Sequence, residues 1–489
     1  MCCQAVSASA GGCRRTGIAL LAVACLLSLP GGVGARPLLA RQGLGPQVHR
    51  AARLLRLRSG QGWLARERLR AELDSNATDS KHQAPSAQTA VRFGDVVRVA
   101  GTDLRMLGGA RLDHLALLAC VHTNCRPIPF QIDERDPAGN WVLDQGPEPN
   151  ADQASDVLQD NDLLLFMAAD AAERAGRTDL PPTTAAAEIA VHDPLLHATR
   201  WAYLVRYPGI APRSDVSYVD YDPVNDRVRG PHVSLGFQNG VPDYLALDGS
   251  AAPTGANLLD RLKVRATATF LWGLIHFSRD ESDLTTQFVA WRQGPIRVIR
   301  RQRQWVRIGW GIRSPAFGSY TYFYRDFAEL PVSLRLNFPP RYFFGDIAIQ
   351  AVLDFRDLSG WSVLAPSLHA AIRIDGVMTP QKQALNQLTD SWFALLGPQI
   401  TLVQTLGVSP SLSSVRRHLL YRESATPDPP EAVPGERPGI GFRLDRWGGV
   451  GAGLHQIESV SYALPRQVDP HAFVAARNTP LEITVQALP

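Results

Sequence analysis

Residues 120–136 read CVHTNCRPIPFQIDERD, and residues 160–170 read DNDLLLFMAAD. Two apolar runs, Ile128 to Ile132 and Leu163 to Ala168, frame a turn-rich passage that is dense in carboxylates. Short apolar runs bounded by Asp, Asn, Gly and Pro are typical of buried strands that are joined by turns. This stretch therefore predicts a β-rich fold in which an acidic loop lies between two strands.

The same pattern recurs from Val91 to the C-terminus. Strands are predicted at residues 95–99, 115–121, 128–132, 201–207, 216–221, 264–271, 286–291, 296–300, 320–324, 333–338, 347–355, 370–374, 440–444, 457–463 and 481–486. Helices are predicted at residues 257–262, 382–396 and 412–420. Strands and helices do not alternate and no fixed-period repeat is visible, which argues against a parallel α/β fold and a propeller. We predict a mainly β fold in which residues 91–489 form one large antiparallel β-sandwich with few short helices.

The composition is that of a globular protein, with 45% hydrophobic and 20% charged residues in a chain of 489. The formal net charge is +4, and nearly all the cations are arginines; the lysines are Lys81, Lys263 and Lys382. An arginine bias of this kind can arise from genome composition, and the net charge is small for the length of the chain. We therefore do not expect a nucleic-acid partner.

The first 35 residues have the features of a secretory signal peptide. Arg14 and Arg15 precede an apolar segment at residues 16–29, and residues 33–35 (VGA) are small enough for cleavage. The apolar segment is shorter than the roughly 20 residues that a membrane span needs, so no transmembrane segment is expected beyond the signal peptide. Residues 36–90 follow as a basic, arginine-rich arm and a polar linker. We predict a periplasmic or secreted protein.

Cys120 and Cys125 are the cysteines that remain once the signal peptide is removed. In an oxidising compartment they can form a disulfide bond across a hairpin. The alternative is a metal site that includes His122, but such a site needs a fourth ligand, and the sequence has no second CxxC and no HxxxH pattern. The disulfide bond is the favoured interpretation.

The acidic passage suggests a calcium site, because calcium prefers many oxygen ligands and short Asp- and Asn-rich loops supply them. The candidate ligands are Asp133, Asp136, Asp156, Asp160 and Asp162. Strand pairing is expected to bring the first two close to the others, although the spacing of an EF-hand is absent. The alternative is a set of solvated turns in which Asp and Asn side chains hydrogen-bond their own backbone.

The segment WRQGPIRVIRRQRQWVR at residues 291–307 suggests a ligand-binding strand. Alternation along a strand places Arg297, Arg301 and Arg303 on one face. Arginines can hold carboxylates with two parallel hydrogen bonds, while Trp291 and Trp305 can stack on sugar rings. An acidic polysaccharide would suit such a surface. The alternative is an outer sheet face that is kept soluble by charge.

Residues 320–326 read YTYFYRD and place Tyr322 and Tyr324 on one face of a strand. Tyrosine and histidine can act as base and acid in proton abstraction beside a carboxylate. Tyr322, Tyr324 and His276 are therefore catalytic candidates, provided that the fold brings His276 to the tyrosines. The alternative is that these side chains pack in the core.

Three segments carry a resemblance to known proteins: residues 127–134 (PIPFQIDE), 160–168 (DNDLLLFMA) and 294–300 (GPIRVIR). In these segments the chain resembles a group of secreted bacterial β-sandwich proteins. Some members of the group are similar to the galactose-mutarotase-like supersandwich of sugar-processing enzymes. The resemblance implies an antiparallel supersandwich fold and carbohydrate as a ligand. It implies no catalytic residue, because the His and Glu pair of mutarotases has no motif match here.

These patterns favour an exported protein that binds carbohydrate or another component of the cell envelope and is stabilised by calcium. One alternative is a polysaccharide lyase or glycoside hydrolase that acts on an acidic polysaccharide. Another is an envelope scaffold that contacts other proteins through Phe343, Phe344 and the proline-rich segment at residues 421–438. The motifs G-x-S-x-G and H-E-x-x-H and the Walker loop are absent, so no motif identifies an enzyme.

Overall fold

The computed structural model describes residues 92, 94–152, 156–182, 185–247, 256–270, 273–309, 312–314, 316–424, 426 and 436–488. The predicted signal peptide (residues 1–35) and arginine-rich arm (residues 36–90) lie outside the described residues. Within the described part β-strands dominate, and the strands pair in an antiparallel manner. The predicted fold class, mainly β with antiparallel sheets, is confirmed.

Strands and helices are numbered in chain order. The strands are β1 (Val96–Ala100), β2 (Leu115–Val121), β3 (Asn124–Pro127), β4 (Gln131–Asp133), β5 (Leu163–Met167), β6 (Ala185–Asp193), β7 (Ala198–Arg206), β8 (Asp220–Asp222), β9 (Arg227–Arg229), β10 (Val233–Gln238), β11 (Val241–Leu247), β12 (Leu259–Phe270), β13 (Ile275–Arg279), β14 (Leu284–Gln293), β15 (Arg297–Gly309), β16 (Ile312–Arg313), β17 (Phe317–Tyr324), β18 (Phe327–Leu336), β19 (Phe344–Phe355), β20 (Ser362–Leu364), β21 (Ile372–Arg373), β22 (Trp392–Leu396), β23 (Ile400–Val408), β24 (Arg416–Ser424), β25 (Glu436–Asp445), β26 (Gly453–Pro465) and β27 (Glu482–Leu488). The α-helices of the described part are α1 (Pro380–Ala384) and α2 (Pro470–Arg477).

The described strands form five sheets. The large sheet has the order β14-β15-β17-β18-β26-β23-β22-β20-β21, with β16 paired to β15. The back sheet has the order β13-β12-β19-β25-β24, and the outer sheet has the order β27-β6-β7-β2-β3. The small sheet is β1-β5-β4, and a further four-stranded sheet has the order β11-β10-β9-β8.

The main hydrophobic core lies between one face of the large sheet and the back sheet. Leu402 and Leu406 of β23 point into this core and join Phe442 of β25. Val403, which alternates with them, points to the opposite face and contacts Phe473 of α2. The large sheet is therefore covered on both faces, and its stacking on the back sheet is the sandwich that the period-two pattern predicts.

The small sheet forms a layer between the large sheet and the outer sheet. Leu164 and Phe166 of β5 belong to the core that is shared with the outer sheet. Leu165 and Met167 point the other way and join Ile296 beside the large sheet. A strand that is buried on both faces reads as a continuous apolar run, which explains the LLLFM sequence of β5.

Two predicted helices are strands in the structure. Residues 257–262 lead into β12, and residues 412–420 pass from a short 3-10 turn into β24. Leu259 and Leu419 are buried in the main core from these strands. Tertiary burial thus overrides the local pattern that suggested helices.

Residues 382–396 are also not one helix, because α1 ends at Ala384 and β22 occupies Trp392–Leu396. The helix α2 was not predicted from the sequence. Its N-terminus nevertheless carries a recognisable signal: Asp469 accepts a hydrogen bond from the backbone N–H of Ala472 at 3.0 Å, and proline follows at the first helical position.

Cys120 of β2 and Cys125 of β3 form a disulfide bond across the hairpin, as predicted. His122 lies in the exposed turn between them, where its imidazole is 3.2 Å from the Glu173 carboxylate. Among the described residues, no helix combines the length and the apolar character that a membrane crossing requires.

Candidate functional site

A buried polar layer joins the small sheet to the large sheet. The Asp133 carboxylate of β4 accepts a hydrogen bond from Nε of Arg297 of β15 at 2.7 Å. Asp133 is 1% exposed and Arg297 is 3% exposed. The Gln131 amide donates to the second Asp133 oxygen at 2.7 Å, and its oxygen accepts from the Arg297 backbone N–H at 2.9 Å. Such hydrogen bonds offset the cost of removing two charges from water.

Gly294 makes this arrangement possible. A Cβ atom at this position would lie 2.1 Å from the Gln131 side-chain oxygen. Any other residue would therefore push the Gln131 side chain away from the backbone N–H groups of Ile296 and Arg297. The GPIR sequence that precedes β15 thus has a structural role in holding the two sheets together.

Tyr324 of β17 extends the polar layer. Its hydroxyl accepts hydrogen bonds from Arg297 Nη1 at 2.9 Å and from Arg98 Nη2 at 3.0 Å, and it lies 3.3 Å from a Glu329 oxygen. Burial lowers the pKa of Arg297, but the Asp133 carboxylate and the Tyr324 phenol raise that pKa above its ordinary value overall. The Arg297 guanidinium is therefore held in its charged form.

Aromatic rings enclose the Arg297 guanidinium. It lies 4.8 Å from the Trp141 ring centroid and 4.7 Å from that of Tyr322. Trp141 donates its indole N–H to the Tyr322 hydroxyl at 2.8 Å, and Arg135 covers the Trp141 ring at 3.6 Å. The structure thus brings together Asp133, Arg297, Tyr322 and Tyr324, but in the interior. This corrects the interpretation of Arg297 as a surface ligand for polysaccharide.

The predicted arginine row does share one face of the large sheet. Arg297, Arg301 and Arg303 pair in register with Tyr324, Tyr320 and Gly318, as alternation requires. Arg303 forms two hydrogen bonds with Glu148, at 3.0 and 2.7 Å.

Trp305 is on the face of the row, whereas Trp291 is not. Trp291 pairs with Arg300, and cross-strand partners share a face. Trp291 therefore points to the opposite side of the large sheet from the predicted row. The predicted combination of three arginines with both tryptophans is corrected, and the binding roles of Arg301, Arg303 and Trp305 stay predictions.

His276 is not near the tyrosines in the described sheets. It lies on β13, an edge strand of the back sheet, where it pairs with Thr269. Tyr322 and Tyr324 lie on β17, in the interior of the large sheet and on the face that the small sheet covers. The structure therefore does not bring the three catalytic candidates together.

Strand pairing brings the acidic segments of the predicted calcium site together, since Asp133 pairs with Leu163 and the Arg135 N–H donates to Asp162, but their side chains have different partners. Asp133 is in the polar layer, Asp160 forms an ion pair with Arg105 at 2.8 Å, and Asp136 accepts from the Asn140 backbone N–H at 2.8 Å. The Asp156 backbone N–H donates to Glu134 at 2.8 Å. In the part of the chain that the structure describes, no group of three or more His, Cys, Asp or Glu side chains is arranged to hold a metal. Calcium binding stays a prediction.

Asp162 is the most deeply buried carboxylate of the acidic passage apart from Asp133. It is 2% exposed and accepts hydrogen bonds from the backbone N–H groups of Gln159, at 2.8 Å, and Arg135, at 3.3 Å. Burial raises the pKa of Asp162 to about 6, although these two hydrogen bonds act in the opposite direction. The interpretation of solvated turns therefore does not fit this residue. Its buried carboxylate instead accepts hydrogen bonds from the backbone of the acidic passage.

An open cleft of about 560 Å³ lies beside the polar layer. Four segments form its walls. They are residues 128–130, residues 144–145, residues 213–217, and residue 291 together with residues 293–295. A volume of this size is typical of sites that bind small molecules or part of a larger ligand.

Backbone contacts fix the walls of the cleft. Gln145 and Trp291 exchange two backbone hydrogen bonds, at 3.1 and 2.9 Å, and Tyr218 N–H donates to the Pro295 carbonyl at 2.8 Å. Gly146 has a φ of +110°, and a Cβ there would lie 2.8 Å from the Cα of Ala290. The loop after residue 145 can therefore approach β14 closely only because this residue is glycine.

The side chains that line the cleft combine rings with polar groups. The half-buried indole of Trp291 contacts the Tyr221 ring edge to face, with centroids 4.8 Å apart. Phe130 forms a second apolar surface and is covered by the Arg213 guanidinium at 4.3 Å. The exposed carboxylates of Asp144 and Asp215 make no hydrogen bond or ion pair with the described residues. This arrangement can bind a ligand that has both an apolar face and hydrogen-bonding groups.

Of these cleft residues, only Trp291 was predicted as a site residue. Phe130, Asp144, Arg213 and Asp215 were missed. Asp144 is one of many acids in its passage, and the sequence around residue 213 (APRSDVS) has no motif. The sequence contains no local signal that these four segments meet, because only the fold brings them together.

Comparisons with known proteins give no family. No protein-family model and no curated protein matches the chain. Among solved structures, an alpha-mannosidase from Enterococcus faecalis matches with a TM-score of 0.40 at 10% identity, over 74% of this chain and 41% of the mannosidase. A putative aldose 1-epimerase from Escherichia coli matches with a TM-score of 0.30 at 10% identity, over 49% of this chain and 96% of its own.

A heparan sulfate lyase from Pedobacter heparinus matches with a TM-score of 0.27 at 11% identity, over 53% of this chain and 38% of the lyase. This chain therefore spans well under half of the length of the mannosidase and of the lyase. At such TM-scores the likenesses carry no argument about what this chain does.

Proposed function

We propose that this protein binds carbohydrate in the cleft beside Trp291 and acts as an exported binding protein of the cell envelope. The observation that carries the proposal is the composition of the cleft. Trp291, whose half-buried indole contacts the Tyr221 ring, lines the same open space as Asp144 and Asp215, and these two carboxylates have no partner among the described residues.

Sugar chemistry matches these groups. A pyranose ring has an apolar C–H face that can pack on an indole, and its edge carries hydroxyl groups that donate hydrogen bonds. Carboxylates accept such bonds more strongly than neutral groups do. Concave sites with aromatic walls and a few polar groups are also the usual form of ligand pockets.

Export is the second part of the proposal. It is supported by the apolar segment at residues 16–29 after Arg14 and Arg15, and by the Cys120–Cys125 disulfide bond, since such bonds persist in oxidising compartments. Fractionation of the native host would test it. Recovery in the cytosol, with the leader still present by mass spectrometry, would contradict export.

The binding proposal is tested by titration calorimetry with a panel of neutral, amine-bearing and acidic oligosaccharides. We expect at least one class to bind, and we expect Trp291→Ala to weaken that binding by about 2 kcal/mol, the usual cost of removing a central aromatic anchor. Each bound oligosaccharide is then incubated with the protein and examined for new products, which separates binding from turnover.

The matched control is Trp305→Ala. Trp305 is half-buried on the same sheet but on the opposite face, outside the cleft. If the cleft is the site, this variant binds as the wild type does, whereas the binding role predicted for Trp305 from the sequence would require a loss of affinity. Binding that depends on Trp305 and not on Trp291 would place the site elsewhere, and a complete lack of binding would refute the proposal.

A further inference from the structure

The charges of the cleft are unequal. Asp144 and Asp215 line it, and a third carboxylate, Asp220, lies at its margin, where it accepts a hydrogen bond from the side-chain amide of Gln293 at 2.9 Å. Arg213 is the cation among the residues that line the cleft. Acidic groups therefore outnumber basic ones, although the whole chain has a net charge of +4.

Arg213 is engaged by the protein itself. Its guanidinium carbon lies over the Phe130 ring, 4.3 Å from the ring centroid, and its Nη2 donates to the carbonyl of Leu112. One face and one N–H donor are thus already used by the protein, and among the described residues Arg213 is the one cation against the two carboxylates that line the cleft. The arginines of β15 do not compensate, because none of them is among the residues that line the cleft.

We infer that the cleft selects amine-bearing, cationic sugar units over acidic ones. This inference rests on the proposed carbohydrate-binding function and adds the ligand class. A protonated amine on a sugar ring packed on Trp291 can bind the Asp144 or Asp215 carboxylate through charge-assisted hydrogen bonds. A uronate would place its negative charge beside two carboxylates and one cation, Arg213, which the protein already engages in part.

The experiment compares three oligosaccharides of equal length by titration calorimetry with the full chain. They are a glucosamine hexamer, the same hexamer with every amine N-acetylated, and a uronate hexamer, all at a pH at which the free amines are protonated. We expect the glucosamine hexamer to bind about tenfold more tightly than the N-acetylated one, the equivalent of one charge-assisted hydrogen bond. The uronate hexamer should bind weakest.

Charge-neutralising variants locate the effect. Asp144→Asn and Asp215→Asn should each weaken binding of the glucosamine hexamer by about fivefold and leave the N-acetylated hexamer nearly unaffected. Higher ionic strength should reduce only the former. Asp103→Asn is the matched control, because Asp103 is exposed and lies outside the cleft; it should change neither.

The outcomes separate the two proposals. If the N-acetylated or the uronate hexamer binds as tightly as the glucosamine hexamer, and binding still depends on Trp291, the cleft binds carbohydrate but the inferred selectivity is wrong. The same conclusion follows if Asp144→Asn and Asp215→Asn leave the preference unchanged. If no hexamer binds but another oligosaccharide of the panel does so through Trp291, only the inference is overturned; if nothing in the panel binds, the proposed function is overturned with it.

Discussion

The polar layer and the cleft contain the same kinds of side chain and use them in opposite ways. In the layer, the charges of Asp133 and Arg297 are matched by each other and by neighbouring polar groups at 2.7–2.9 Å. In the cleft, Asp144 and Asp215 face solvent without a partner among the described residues. Both regions contain a tryptophan close to an acid and an arginine.

The difference lies in what covers each region. The small sheet lies over the face of the large sheet that carries Arg297, so water is excluded there and each charge needs a protein partner. The cleft is bordered by the end of β14 and by loop segments and no sheet of the described part covers it, so charges there can be left for a ligand. Burial, rather than residue type, therefore separates groups that hold this fold together from groups that can recognise another molecule.

The strongest test removes the carboxylate of the polar layer. Asp133→Ala leaves the Arg297 charge buried without its ion-pair partner, and we expect it to lower the free energy of unfolding by about 3–5 kcal/mol. Denaturant titration followed by tryptophan fluorescence measures this. In the double variant Asp133→Leu with Arg297→Met, both charges are absent and most of the loss should be recovered. A loss below about 1 kcal/mol in the single variant would show that the layer is not structural.

A smaller effect is expected at the edge of the layer. Tyr324→Phe removes a hydroxyl that accepts from both Arg297 and Arg98, and should cost about 1–3 kcal/mol because buried donors lose a partner. Tyr320→Phe on the same strand is the matched control, since the buried Tyr320 hydroxyl has no partner in the described structure. That variant should be neutral or slightly more stable. Equal losses of unfolding free energy in the two variants would mean that the hydrogen bonds of the Tyr324 hydroxyl do not contribute to stability.

The sequence allowed much of the fold to be predicted. The alternation of residues 297–303 correctly places three arginines on one face, and the apolar run of β5 correctly indicates a buried strand. The spacing of Cys120 and Cys125 correctly indicates a disulfide bond across a hairpin. These features are local, since each depends on residues that are close together in the chain.

The site could not be predicted in the same way. Asp133 and Arg297 are 164 residues apart, and nothing near either one shows that the other neutralises it. The cleft is formed by four separate segments of the chain. That Asp144 and Asp215 have no partner among the described residues can therefore be seen only once the chain has folded. A pattern of Asp, Arg and Trp predicts that charges and rings are present, but not which of them the fold itself uses.

The acidic passage provides a test by pH. The pKa of Asp162 is about 6 in the folded protein and 3.8 in its ordinary state, so the folded state binds the proton more tightly. The resulting stabilisation is complete below pH 3.8 and is lost as the pH rises through 6. Between pH 4 and 7 we expect the wild type to lose stability relative to Asp162→Asn, on the order of 1 kcal/mol. Parallel profiles for the two proteins in denaturant titrations would mean that Asp162 is not buried as described.

The smallest expected change in stability is that of the two cleft carboxylates, Asp144 and Asp215. Asp144→Asn and Asp215→Asn should each change the free energy of unfolding by less than about 0.5 kcal/mol, because these exposed carboxylates have no partner in the described structure that the change would remove. The measurement is the same denaturant titration that is used for Asp133→Ala. A cost comparable with that of Asp133→Ala would show that Asp144 or Asp215 supports the fold, and the contrast between the two regions would then disappear. A near-zero cost combined with a loss of ligand affinity would place the carboxylates of the cleft in recognition, because a group whose removal leaves the fold unaffected but weakens binding acts on the ligand.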